Sequence, residues 1–523
     1  MQPNRVFFFS LFVFSFYILS LSLSAQVVNF EPSFATQYDS VTVYFDATQG
    51  NGGLDGFSAR VFLHTGVITS KSISGSDWKY VPAGWESYPS RLEAEQVGEN
   101  KWKFTFAPDI RSFFGITESS EEVLEIAMLF KGTRTLSGAP VAVGRDEGDR
   151  DIFVELSKGG VEARFVQPAN ELSLMKRSDS LKIMGLGSTT SGNLQLSLFE
   201  DNQLIEQTTN DTITYIFRPS NNQEQVIFSL IAENRQGLSD TTITRVVVRP
   251  DELSITPRPP QTQDGIHYLS DRSVLLSLFA PYKDFVYVLG DFNDWTPSAD
   301  YLMHKETQGA DSTWFWLEID GLTPGQEYAF QYLVNGDLRI ADPYSELTLH
   351  PDDDPYVPSS VYPNIPTYPH GKTNFSVGVL QPGNDEYTWT STNYERPETK
   401  DLVIYELLLR DFLKDHSYQT LIDTLDYLDR LGVTAIELMP VNEFEGNLSW
   451  GYNPAFHLAL DKYYGTQNAF KAFVDAAHSR GIAVILDVVL NHAFGRSPII
   501  RLWNDGNYGA PTSENPYANP IAK

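Results

Sequence analysis

Ile482-Ala-Val-Ile-Leu-Asp487-Val-Val-Leu-Asn491-His492 is a short apolar run that closes on an aspartate, an asparagine and a histidine. Uninterrupted aliphatic and β-branched residues over so few positions read as a buried strand of a parallel sheet. Asp487, Asn491 and His492 then fall at the outgoing end of that strand, where parallel α/β barrels carry their chemistry. Working upstream, Asn468 to Arg480 has helical spacing and is stopped by Gly481. Thr434-Ala-Ile-Glu-Leu-Met439 reads as another strand. Leu421 to Leu431 places Leu421, Ile422, Leu425 and Leu428 on one helix face and ends at Gly432, a helix stop. Leu402-Val-Ile-Tyr-Glu-Leu-Leu-Leu409 reads as a buried first strand. Strand–helix–strand–helix–strand opens either a doubly wound sheet or a (β/α)8 TIM barrel. Such a barrel takes about 250 residues and only about 125 remain here, so about three βα units are expected, with the rest beyond Lys523.

Before Thr399 the periodicity is that of strands. Val41-Thr-Val-Tyr-Phe45, Ala59 to Leu63 and Lys101 to Phe106 alternate, with Asn51-Gly-Gly as a turn signal. Between Val161 and Pro250, Leu194 to Phe199 and Gln203 to Glu206 flank Glu200-Asp-Asn as a hairpin, and Val226 to Ile231 and Ile243 to Val248 follow. Short strands so punctuated fit antiparallel, immunoglobulin-like β-sandwiches. Pro257-Arg-Pro-Pro260 marks a linker. A third β module runs from Ile266, with Glu327 to Val334 ending in the hairpin signal Asn335-Gly-Asp. The expected organisation is a signal segment at 1–25, β-domains at 26–160 and 161–250, a linker at 251–265, a third sandwich with its connector at 266–395, and the partial barrel at 396–523.

The formal charge of −29 repels nucleic-acid phosphates and anionic lipid, and suits a protein acting on a neutral ligand. No cysteine is present, which excludes disulfides, thiol catalysis and thiolate metal sites. Residues 1–25 have a basic start at Arg5, an apolar stretch from Val6 to Leu21 and a small-residue site at Ser22-Leu-Ser-Ala25. That is the pattern of a cleaved export signal and predicts a secreted, periplasmic or cell-surface protein with no membrane insertion after cleavage. Oligomeric state is not legible in the sequence.

At a strand end, a carboxylate such as Asp487 can fix a cation or orient an arginine, and an imidazole such as His492 can donate to a hydroxyl. The Asn491 carbonyl oxygen suits a hard cation such as calcium. The same polar groups could equally satisfy local backbone. Two resemblances narrow the choice. Gly290-Asp-Phe-Asn-Asp-Trp295, the aromatic strand Thr313 to Leu317, Gly321-Leu-Thr-Pro-Gly325 and Asp342-Pro343 resemble a family 48 carbohydrate-binding module. Val403-Ile-Tyr405 to Asp411-Phe, Gly451-Tyr452-Asn-Pro, Asp461-Lys-Tyr-Tyr464-Gly465 and Asp487 to His492, in that order, resemble the α-amylase superfamily, glycoside hydrolase family 13.

The second resemblance implies a retaining α-glucan hydrolase, in which two carboxylates about 5–5.5 Å apart act as nucleophile and general acid/base. It makes Tyr452 the platform stacked on the sugar being cleaved, His492 the donor to that sugar's 6-hydroxyl, and Asp487 a support of the catalytic network. It makes Asn491 a calcium ligand in those relatives that bind the metal. In this superfamily the bond-breaking carboxylates lie on strands four, five and seven, so none is expected among Glu437, Glu443, Glu445 or any other residue before Lys523. Trp295, Trp314 and Trp316 offer a further stacking surface for glucan, although packing within the sandwich explains them as well. Tyr405-Glu-Leu-Leu-Leu-Arg-Asp411 and Trp450-Gly-Tyr-Asn-Pro454 look closer to debranching and branching enzymes than to simple amylases. A non-catalytic starch-binding protein is the alternative outside the enzymes.

Overall fold

The computed structural model describes residues 27–133, 141–146, 150–190, 193–504 and 511–518, so the predicted export signal lies outside the described residues. The chain divides between Gly159 and Gly160 into two compact units. In the first, an antiparallel sheet of Val28–Glu31, Val41–Asp46, Lys101–Phe106 and Glu95–Gly98 faces a second one. That second sheet is built from Val61–Thr69 and Val123–Gly132, with Val143–Gly144 and Ile152–Glu155 on the latter. Alternation sends Val41, Val43, Phe45, Trp102, Phe104 and Phe106 inward, against Leu63, Ile126, Met128 and Phe130. Phe45 and Phe130 stack across the layers at 4.1 Å. On the outer face, His64 lies between Trp78 and Trp85, at 5.8 and 5.3 Å.

The second unit begins with a sandwich of two sheets. Leu194–Glu200 and Gln203–Thr208 form the predicted hairpin, with Asp201 and Asn202 both at positive φ, the geometry of a two-residue hairpin turn. One pairing departs from the antiparallel expectation: Leu172–Lys176 runs parallel to Arg245–Arg249 at the sheet edge. Residues 265–380 form another pair of sheets around Val274, Leu276, Phe315, Phe330 and Tyr332. The proline-rich stretch is not a free spacer. Thr256 N donates to Lys305 O at 2.8 Å, Arg258 N donates to Glu306 Oε2 at 2.7 Å, and the segment lies as a strap along the sheet.

At the C-terminal end, strands β1 (Ile404–Leu407), β2 (Ala435–Leu438) and β3 (Ala483–Leu486) form a parallel sheet in that order. Helices α1 (Tyr418–Leu431) and α2 (Gln467–His478) cover one face of it. α1 starts on Ser417, whose hydroxyl accepts from Thr420 N, and stops at Gly432, which adopts φ 84°. Its buried Leu421, Leu425 and Leu428 meet Leu407, Ile436, Leu438 and Phe473.

The strands are shorter than the apolar runs that announced them. β3 ends at Leu486, and Val488 and Leu490 are 51% and 81% exposed. β1 was expected to be buried, yet Ile404 is 49% exposed. The physical reason is the same for both: among the described residues β1 and β3 each have one strand neighbour, β2. An apolar groove of about 460 Å³ lies along α2 and β3, lined by Trp389, Phe470, Val474, Val484 and Leu486 among others.

Candidate active site

The register Glu406↔Glu437↔Ile485 puts two carboxylates on the sheet face away from the helices. Asp487, two residues past Ile485, continues that face, and its amide donates to Leu438 O at 3.0 Å. The segment between β2 and α2 supplies the next component. It folds as a small hairpin, Asn442–Phe444 with Pro454–Leu460, and carries Tyr452 in its loop. Gly451 takes φ 90°, and a Cβ there would fall 2.1 Å from Pro440 O, so only glycine lets the chain turn here.

The turn aims the Tyr452 hydroxyl at Asp487, to which it donates at 2.6 Å. This hydrogen bond, reinforced by the carboxylate charge, pushes the phenol up to about 12. Tyr452 as a whole remains 39% exposed. His492 returns to the same point: its Nε2 lies 2.7 Å from Tyr452 O. A carbonyl only accepts, so Nε2 carries the proton in this contact. The structure thus brings Tyr452, Asp487 and His492 together from two loops into one open, polar-edged aromatic surface.

The other sequence candidates are placed differently. Asn491 is exposed, and among the described residues no group of three or more His, Cys, Asp or Glu is arranged to hold a metal ion. Trp295 is 4% exposed, packed with Phe285, Leu333 and Tyr368, and its indole donates to Asp291 at 3.0 Å. It has no face to offer a sugar, which corrects the stacking expectation for this residue. Trp314 and Trp316 share one side of strand Ser312–Ile319 and are half-buried under the strap. Arg258 lies 4.4 Å from the Trp314 ring centroid, and Trp316 Nε1 donates to Thr256 O at 3.0 Å. Tyr464 is buried against Tyr418 and Phe444.

Glu443, set aside as a bond-breaking carboxylate on sequence grounds, is buried and ion-paired with Lys462. Asp354 lies 3.4 Å from the same ammonium. Burial opposes the Lys462 charge, but Glu443, Asp354 and Asp461 outweigh it and hold the amine above its ordinary value. Burial in turn raises the Asp461 and Glu443 carboxyls. Sequence reasoning missed this cluster. The available signal was a lysine directly after an aspartate in an otherwise apolar and aromatic stretch, Phe456 to Tyr464.

An aromatic ring and a histidine thus gather at the end of a parallel strand, with carboxylates on the same sheet face. Residues 414–498 match the family model Alpha-amylase, described as the α-amylase catalytic domain. Over this segment the chain is similar to the catalytic domains of the α-amylase superfamily. It is similar to malto-oligosyltrehalose trehalohydrolase of Saccharolobus solfataricus, 32% identical over 224 residues, 43% of this chain and 34% of that protein. It is also similar to a 1,4-alpha-glucan branching enzyme of Clostridium perfringens, 28% identical over 241 residues, 44% of this chain and 33% of that one. A solved structure of a Group B Streptococcus pullulanase aligns at 19% identity with a TM-score of 0.34, covering 64% of this chain and 46% of the other. The chain spans about a third of the length of the curated relatives it matches.

Proposed function

We propose that this chain forms the sugar-holding wall of an α-glucan active site of the retaining, α-amylase type. On this reading β1, β2 and β3 are the opening strands of a (β/α)8 barrel, and residues 265–380 are a family 48 carbohydrate-binding-module-like sandwich ahead of it. The carrying observation is the Tyr452 ring, held by its hydroxyl to Asp487 and by its carbonyl to His492. An aromatic ring gives a pyranose an apolar platform, while the unengaged imidazole nitrogen and the Asp487 carboxylate edge meet its hydroxyls. Glucan is neutral, so a strongly acidic chain binds it without electrostatic penalty. Glu406, Glu437 and Asp487 stand on the sugar side as wall groups, and we assign the bond-breaking pair to none of them. The bond addressed is proposed as α-1,4. A branching or debranching specificity is the second reading, favoured by a relative named as a 1,4-alpha-glucan branching enzyme. The export pattern in the sequence of residues 1–25 supports an activity outside the cytoplasm. Among the described residues no helix is long and apolar enough to cross a membrane.

Titration of the full chain with maltoheptaose, followed by NMR of 13Cζ-labelled tyrosine and 15N-labelled histidine, tests the reading. Saturable shifts of Tyr452 and His492, absent with cellohexaose and in Tyr452→Ala, are expected. Shifts confined to other tyrosines and histidines would overturn it.

A further inference from the structure

Tyr452 and His492 lie on loops 445–453 and 487–497, outside every strand and helix. Polar loops hold a geometry only if side chains tie their backbone down. Some ties are internal: Asn453 Nδ2 donates to Glu445 O at 3.3 Å, and Gly451 N to Ser449 Oγ at 3.0 Å. Beyond the contacts of Tyr452 with Asp487 and His492, Arg496 N joins the loops by donating to Glu445 Oε1 at 2.6 Å, and Phe494 N donates at 2.8 Å to the carbonyl of Pro454, where the next strand begins.

The remaining ties come from outside, from a turn that follows strand Thr348–Leu349 of the third β module. That turn is braced by its own chain, because His350 N donates to Asp354 Oδ2 at 2.9 Å and Asp354 N to His350 O at 3.2 Å. Asp354 also faces buried Lys462, which anchors the turn from behind. Its neighbour Asp353 points the other way. The Asp353 carboxylate pairs with the Arg496 guanidinium and accepts from Gly446 N at 3.3 Å. Its backbone carbonyl accepts from Asn447 Nδ2 at 2.8 Å. One residue therefore holds both loops, and the Asp353 and Arg496 side chains are only 15% and 22% exposed. A charge-assisted hydrogen bond sheltered to that degree is stronger than a surface ion pair.

We propose that Asp353 is a positioning residue for the sugar-facing pair: by clamping Arg496 and loop 445–447 together, it sets where Tyr452 and His492 stand relative to Asp487. This deepens the glucan reading and rests on it for its functional meaning, since the pair being positioned is the one assigned to sugar. It also gives the third β module a direct part in shaping the site, through five residues, His350 to Asp354.

The test uses the full chain without sugar, so its outcome is independent of whether maltoheptaose binds. Tyr452 is assigned by Tyr452→Phe and His492 by His492→Gln. Asp353→Asn keeps the shape and an acceptor oxygen but loses the charge. Arg496→Gln removes the same pairing from its more exposed side and serves if the first variant does not fold. In either variant, exchange of the His492 Nε2 proton with water is expected to rise at least about tenfold, as loss of a charge-assisted hydrogen bond implies. The Tyr452 titration midpoint is expected to fall in the same variants, and Asp353→Glu to recover part of both signals. Asp475→Asn is the control. It cuts an unrelated tether, where Asp475 on α2 accepts from Thr390 N at 2.8 Å and Ser391 N at 2.7 Å. It should leave His492 and Tyr452 unmoved. Unchanged His492 exchange and Tyr452 titration in both Asp353→Asn and Arg496→Gln would overturn the proposal. So would an equal change in Asp475→Asn, which would reduce the effect to general destabilisation.

Discussion

Tyr452 owes its chemical character to one neighbour. With Asp487 beside it, ionisation of the phenol would set two anions together and lose a hydrogen bond, so the proton stays on to about 12. Asp487→Asn removes the charge and is expected to bring the midpoint down toward an ordinary tyrosine, about 10, measured by the 13Cζ resonance against pH. A midpoint unmoved by the substitution would show that burial rather than Asp487 sets it. The linkage has a sign. A phenol whose folded value is raised adds stability that is present below about 10 and lost as pH rises toward 12. The melting difference between wild type and Asp487→Asn should therefore narrow over that window. At this scale the sequence was informative about residue type and place. Tyr452, Asp487 and His492 could be singled out because each sits beside a recognisable signal, a Gly-x-Asn-Pro turn or a strand end. Their mutual contacts could not, because they join residues 35 and 40 positions apart through side chains. Trp295 shows the opposite failure. An aromatic at a strand end looks the same in sequence whether it faces solvent or fills the core.

Elements were easier to locate than to delimit. α1 and α2 were readable from an apolar period near 3.6 residues and a glycine following each helical stretch, whereas their caps, Ser417 and Thr466, were not singled out. The parallel strands were overextended because an apolar run continues wherever burial is wanted, while hydrogen-bonded pairing lasts only as far as the neighbouring strand does. Gly451 is the position where element geometry and site geometry meet. Gly451→Ala forces a Cβ into Pro440 O at a φ of 90°, and should cost at least about 1–3 kcal/mol as backbone strain. The expected reading is a lower urea midpoint with an unchanged slope, together with a displaced Tyr452 resonance. An unchanged midpoint would mean that the loop relaxes freely and that Tyr452 is not held by this turn.

Over the whole molecule the chain shows a sharp contrast. Its β modules close their cores, whereas the parallel sheet leaves apolar groups outside. Val403, Ile404, Leu486, Val488 and Leu490 are exposed, and the groove beside Trp389 and Phe470 is open. Edges and patches of this kind associate. The sedimentation coefficient is expected to climb with protein concentration, and the double substitution Val488→Glu, Leu490→Glu to flatten that dependence. Sedimentation independent of concentration in the unmodified chain would contradict it. The change from strand periodicity to alternating strand and helix after Thr399 was legible in the sequence. The ties between modules were not, since Asp353 with Arg496 and Asp354 with Lys462 are formed by charges that sequence treats as solvated.

The strap from Ile255 to Pro260 carries a lesson for anyone recombining such proteins. Its prolines advertise a natural splice point, yet Thr256 and Arg258 are the groups that cap Trp316 and Trp314. A chimera joined after Pro260 would hand the recipient a sandwich stripped of its lid, two indoles bare. Joined ahead of Ile255, the lid travels with the module it closes, so the heritable block begins inside what looks like the seam.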